Sequence, residues 1–149
     1  MANVWFIVQK YEIFNINDKV IGFWDEKTNY DLISAGDKII YYRGGRWIND
    51  VYVTGNTEGI YSIKTKAKNI DLRIAEIKIK GKNLIYQFEL EEIEKIRVAY
   101  EDLNDEFTFY DKWRGNDEEG RHGSGIKQVY NATEKDIDKL RSIHKRKLA

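Results

Sequence analysis

Apolar positions in this chain cluster in short bursts rather than in long helical stripes. Residues 3–9 are rich in Val, Ile, Phe and Trp with weak alternation and predict an internal first strand. Residues 35–42 carry the strongest signal. Gly36 and Asp37 suit a tight turn, and Ile39, Ile40, Tyr41 and Tyr42 form a β-branched and aromatic run fitted to a strand covered on both faces. Residues 4–8, 51–53 and 59–63 are its candidate partners. Arg43, Gly44, Gly45 and Arg46 then open a basic loop, and residues 47–50 fall in a hairpin region. A burst at Val20, Ile21, Gly22, Phe23 and Trp24 ends in an acidic turn, and one or two helical turns are expected across 28–34.

The second half alternates more cleanly. Residues 64–72 form a basic connection without a strong period. Residues 73–81 read as a half-exposed strand, and a turn at 81–83 leads into 84–90 as its hairpin partner. Residues 91–103 fit either a helix or an extended continuation. Residues 116–125 are glycine-rich and read as a loop, with 126–130 as a last strand. Thr133 and Asp136 have the spacing of a capping box, with Asp in place of the usual Glu or Gln. They open an amphipathic helix that turns Ile137, Leu140, Ile143 and Leu148 inward. No repeat or low-complexity tract divides the 149 residues, so one domain spanning 1–149 is expected.

Composition narrows the chemistry. The 25 basic and 25 acidic residues cancel, so a nucleic-acid face must be a local patch. The chain has no Cys and only two His, His122 and His144, in separate segments, which argues against thiolate chemistry and against a His-based metal site. No apolar run approaches the roughly 20 residues that cross a bilayer. Without a secretory pattern at the start, the expected location is cytoplasmic. The serines have no His at motif spacing and phosphate-binding glycine motifs are absent, so the expectation is a protein that is not an enzyme.

Several short motifs, taken in order, resemble a known family. They are Trp5-Phe6-Ile7-Val8, Gly22-Phe23-Trp24, the 35–42 stretch, Tyr100-Glu101-Asp102-Leu103 with Phe107, Lys112-Trp113-Arg114-Gly115, and Gly125-Ile126 before the last helix. Together they resemble the small EVE-domain proteins of the PUA-like superfamily, relatives of the YTH and ASCH domains. The resemblance implies an α+β fold: a curved mixed β-barrel with flanking helices and a C-terminal helix. It also implies a pocket beside the first strand that takes up a modified base of DNA or RNA between aromatic rings. Apart from the resemblance, no cofactor, metal or membrane partner is expected. The chain departs from the pattern in its long acidic 116–125 loop and in Gln9-Lys10 after strand one.

An extruded base offers two π faces, each worth about 1–3 kcal/mol when stacked, against an extrusion cost of a few kcal/mol. Two facing rings therefore repay what one barely does. Trp24, at the end of an apolar burst, and Trp113, between two cations, are the leading ring candidates; Trp47 and Tyr11 are further ones. Trp5 alternates within a strand and reads as core. Gln9, Thr28 and Asn29 could read the base edge, and Lys10, Lys27, Arg43, Arg46 and Arg114 could hold phosphates. The alternatives are a general RNA-binding module of the PUA or ASCH kind without modified-base specificity, or a protein-interaction scaffold. Oligomeric state is left open.

Overall fold

The computed structural model of the chain describes residues 3–9, 20–23, 32–67, 78–79, 82–83, 86–118 and 129–148. Strands in chain order are β1 (Val4–Gln9), β2 (Val20–Phe23), β3 (Lys38–Arg43), β4 (Arg46–Ile48), β5 (Val51–Val53), β6 (Asn56–Ala67), β7 (Lys78–Ile79), β8 (Lys82–Asn83), β9 (Tyr86–Glu94) and β10 (Val129–Ala132). A 3-10 turn (Tyr100–Asp102) and two helices, α1 (Tyr110–Glu118) and α2 (Glu134–Leu148), complete the described elements.

Six strands form one mixed sheet in the order β10-β1-β3-β6-β9-β2. β1 and β3 run parallel, with Val4 opposite Lys38 and Gln9 opposite Arg43. The other neighbours are antiparallel. A parallel pair needs a long crossover, and the chain makes it between β1 and β3, placing β2 on the far edge against β9 on the way. The result is an α+β fold with a C-terminal helix. Closure into a barrel, expected from the sequence, is not among the described pairings, which leave β10 and β2 as the two edges.

Both faces of the sheet are covered, which is why β1 and β3 read as nearly unbroken apolar runs. Successive side chains point to opposite faces. Val4, Phe6, Ile40 and Tyr42 therefore join one core with Phe109, Trp113, Ile137 and Leu140. Trp5, Ile7, Ile39 and Tyr41 join another with Ile33, Phe88 and Leu90. Trp5 is 5% exposed, the core ring that its position in a strand predicts.

The turn before β3 is held by a buried carboxylate. Gly36 takes φ +93°, a value that favours glycine. Asp37 accepts hydrogen bonds from the Asn3 backbone N–H (3.0 Å), the Trp5 indole Nε1–H (3.0 Å) and the Ser34 backbone N–H (2.9 Å). The expected capping box is also present. The Thr133 backbone N–H donates to Asp136 Oδ2 at 2.9 Å, and the Asp136 N–H returns a bond to Thr133 Oγ1 at 3.3 Å. The same carboxylate accepts from the Thr108 backbone N–H at 3.0 Å and from its hydroxyl, so one aspartate caps α2 and pins the approach to α1.

Several sequence expectations are corrected. Residues 51–53 pair with β4 through a two-residue turn, not with β3. The segment that begins at 86 pairs with β6 and β2, while the tight hairpin is 78–79 against 82–83. Alternation reveals a strand's exposed face but not its partner, which here comes from far away in sequence. β6 continues through Ala67 into the supposed connection, and 116–118 belong to α1; residues 119–128 lie outside the described residues. The 91–103 stretch is extended as far as the 3-10 turn. Leu148 is 75% exposed. It lies only about 20° around the helix from the buried Ile137, but it is the last residue of α2 and extends past the core.

Two stability outcomes follow. Burial raises the Asp37 pKa, but the bonds from Ser34, Trp5 and Asn3 and the nearby Lys66 outweigh it, leaving the carboxyl below its ordinary 3.8. A depressed folded-state pKa stabilises above the unfolded value and is lost as pH falls through the folded one. Acid unfolding of the wild type should therefore show a component below pH 3.8 that Asp37→Asn removes, and Asp37→Ala should cost about 3 kcal/mol by denaturant titration at neutral pH. Asp136→Ala removes a cap and leaves the Thr108 N–H without its acceptor, so a loss of about 2–4 kcal/mol is expected in the same assay.

Candidate nucleic-acid interface

A cleft opens past the end of β3, beside the end of β1, where the Gly44 backbone N–H donates to the Gln9 carbonyl at 2.8 Å. Its volume is about 570 Å³, and it is lined by 43–46, 53–56, Glu58, Arg97, Ala99, Asp102 and Lys147 of α2. Arg43, Arg46, Arg97 and Lys147 bring four positive charges to it, against two negative ones from Glu58 and Asp102.

A β-bulge aims Glu58 into the cleft. Tyr41 lies opposite Gly59 and Tyr42 opposite Thr57, so Glu58 is the extra residue on β6. A bulge kinks the strand and can redirect the side chain it carries. Only 8% exposed, Glu58 sits between the guanidinium groups of Arg43 at 4.0 Å and Arg97 at 3.8 Å. The Asn56 amide lies 3.4 Å from the same carboxylate.

Buried Thr57 holds the segment that brings Arg97 and Ala99 to the cleft. Its hydroxyl donates to the Ile96 carbonyl at 2.7 Å and accepts from the Val98 N–H at 2.8 Å, while its backbone N–H donates to the Val98 carbonyl at 2.9 Å. The Tyr100 N–H reaches the Gly55 carbonyl at 3.0 Å. Segment 96–100 is thus laid along the start of β6, with Ile96 and Val98 in the core and Arg97 outward. The Arg97 N–H meets His144 Nδ1 of α2 at 3.2 Å, and Lys147 meets Asp102 at 3.6 Å. The Thr54 hydroxyl donates to Glu101, and this bond, ahead of backbone hydrogen bonding, holds that carboxyl below its usual range. Gly55 leaves no room for a side chain: a Cβ there would strike the Arg43 carbonyl and lie 2.6 Å from the Tyr42 hydroxyl.

The sequence candidates divide into groups. Arg43 and Arg46 line the cleft. Trp113 is 5% exposed, packed edge-on against Phe6, Tyr42, Tyr100 and Tyr110; it is part of the helix-side core rather than the cleft wall. Arg114 stands over the Tyr100 ring, 4.9 Å from its centroid. Gln9 is 1% exposed, and its carboxamide oxygen accepts from the Tyr41 hydroxyl at 2.6 Å, beneath the surface. Trp47 is 72% exposed on the β4–β5 hairpin. Trp24, Tyr11, Thr28, Asn29, Lys10 and Lys27 lie outside the described residues.

Sequence reasoning missed Glu58, Asn56, Arg97, Asp102 and Lys147. Arg97 had a legible signal, since Ile96-Arg97-Val98 alternates buried, exposed, buried. The bulge that aims Glu58 had none. Among the described residues no helix is long and apolar enough to cross a membrane, and no three His, Asp or Glu groups are placed to hold a metal ion.

No protein-family model matches the chain, and no curated protein matches it. Solved structures do. A hypothetical protein from Leishmania major superposes with a TM-score of 0.54 at 10% identity, covering 100% of this chain and 98% of that one. Human THYN1, solved in complex with 5-methylcytosine-containing DNA, superposes with a TM-score of 0.54 at 10% identity, covering 96% of this chain and 98% of that one. At this identity the likeness establishes a shared fold.

Proposed function

We propose that this chain is a nucleic-acid-binding module of the EVE kind within the PUA-like superfamily, reading a modified base rather than catalysing a reaction. One observation carries the reading. A cleft with four cations against two carboxylates opens past the end of β3, beside the end of β1, where the resemblance expects a ligand. The shared fold with human THYN1, a protein solved with 5-methylcytosine-containing DNA, supports the same choice of partner. Arg43, Arg46, Arg97 and Lys147 would take the phosphates flanking the base, since each such contact releases counterions and makes binding salt-dependent. Glu58 and Asp102 are engaged with arginine and lysine, which fits a binding site better than a general base.

A specific observation favours the second reading, recognition by charge and shape alone. The described residues that line the cleft include no aromatic ring. The role of base-stacking ring then falls to Trp24, as the resemblance assigns it. The protein is expected to act in the cytoplasm.

The test compares oligonucleotides with and without one 5-methylcytosine, as DNA and as RNA, at fixed salt. Tighter binding of the modified strand is expected, and equal affinity would leave only the charge-and-shape reading. No binding to any strand would point to a scaffold. Arg46→Ala and Arg97→Ala should each weaken modified and unmodified strands alike, by about 5-fold, and reduce the salt slope by about 1.

A further inference from the structure

Most of the large hydrophobic side chains exposed among the described residues lie on the β4–β5 hairpin. Of the eight large hydrophobic side chains exposed among the described residues, five lie on it: Trp47 (72%), Ile48 (40%), Val51 (63%), Tyr52 (52%) and Val53 (41%). The other three, Leu32, Ile93 and Leu148, are scattered singly. Isolated exposed hydrophobics need no explanation, but a contiguous set does.

The hairpin is a shaped ribbon. Asn49 and Asp50 take φ 48° and 66°, so both central residues of its two-residue turn are left-handed. That is the type I′ geometry whose twist matches the flanking strands. Register sets Trp47 directly opposite Tyr52, on one face, with ring centroids 5.3 Å apart at 65°. Ile48 and Val51 face the other way. Burying none of these side chains in the sheet wastes their apolar area unless a partner covers them.

Position and charge indicate the partner. Arg46 and Val53, the paired residues at the base of the ribbon, both line the cationic cleft. Alternation turns Trp47 and Tyr52 to the face opposite those two, but Gly45 also lines the cleft and lies against the Tyr52 ring, where a Cβ would strike the Tyr52 hydroxyl, so the Trp47–Tyr52 face adjoins the cleft as well. A strand whose phosphates lie in the cleft would therefore present its next bases to the Trp47–Tyr52 face. Aromatic rings beside cations suit stacked bases, whereas Asp50 at the tip is the ribbon's single acidic group.

We infer that the β4–β5 hairpin is a base-stacking wedge. Trp47, backed by Tyr52, stacks on an unpaired base flanking the nucleotide held in the cleft. The wedge rests on the nucleic-acid reading above and adds to it a second recognition surface outside the cleft.

The test uses a short fluorescein-labelled single strand of mixed sequence, with binding followed by anisotropy over a salt series. Trp47→Ala should weaken binding about 10-fold and leave the salt slope unchanged, while Trp47→Phe keeps most of the affinity. On a fully abasic strand of the same charge, wild type and Trp47→Ala should bind alike. Arg97→Ala, by contrast, should flatten the salt slope. If Trp47→Ala binds as wild type while Arg97→Ala loses affinity, the wedge is overturned and the cleft reading stands. If Trp47→Ala instead abolishes self-association in sedimentation and leaves affinity intact, the hairpin is a contact between copies and the wedge is overturned. If the wild type binds no strand, both readings fall together.

Discussion

Asp37 ties together the parts of the fold that define its core. Its carboxylate takes hydrogen bonds from the chain entering β1, from the Trp5 indole within β1, and from the turn before β3. A carboxylate buried at 4% exposure is tolerable only when its oxygens are satisfied. The parallel pairing of β1 and β3 meets that condition, because it brings Asn3 and Trp5 beside a residue more than thirty positions later. Parallel strands gain slightly less per residue than antiparallel ones. A charge-assisted set of three bonds at the start of the pair offsets that difference and fixes the register, since a one-residue slip would turn the indole to the opposite face.

The cleft depends on a second buried carboxylate handled differently. Glu58 is held by charges at 4.0 and 3.8 Å rather than by short hydrogen bonds to the guanidinium groups. Pairs of this length compensate the buried charge without locking the arginines into one geometry. The Arg97 side chain, 68% exposed, can turn outward while the carboxylate keeps its other neighbours. Removing Glu58 would take away the carboxylate that Arg43 and Arg97 share. The carboxylate therefore sits between these two cations and offsets part of their charge.

How much was readable from sequence depended on the range of the interaction responsible. The turn at Gly36 and Asp37, the buried run of β3 and the capping box at Thr133 and Asp136 all rest on neighbours within a few residues, and their residue types announced them. Strand partners did not announce themselves. Residues 84–90 and 73–81 alternate in a way that satisfies a hairpin, yet β9 instead lines up with β6, where Leu90 meets Ile63. Trp113 shows the limit for side chains. Flanked by Lys112 and Arg114, it reads as half-exposed, but on α1 its neighbours in sequence point elsewhere, and the rings it meets come from β1, β3 and the 3-10 turn. Of the candidate site, the basic loop at Arg43 and Arg46 was legible because charge beside glycine is a local signal. Glu58 was not, because only a register shift between two distant strands turns it into the cleft.

The division of labour around the cleft follows from those ranges. Its frame is made of uncharged hydrogen bonds, from the Thr57 hydroxyl and N–H to Ile96 and Val98 and between the main chains of Tyr100 and Gly55 and of Gly44 and Gln9. Such bonds do not titrate and are short-ranged, so the frame is insensitive to salt and to the arrival of a ligand. Its charge is carried by long side chains from three separate segments, which adjust at small cost in structure. A polyanion gains most from a site of this kind, because its phosphates differ little from one sequence to another and demand charge at roughly fixed spacing rather than a closed, rigid cage. Among the described residues, the exposed rings nearest that charge are those of the β4–β5 hairpin, whose Arg46 and Val53 line the cleft.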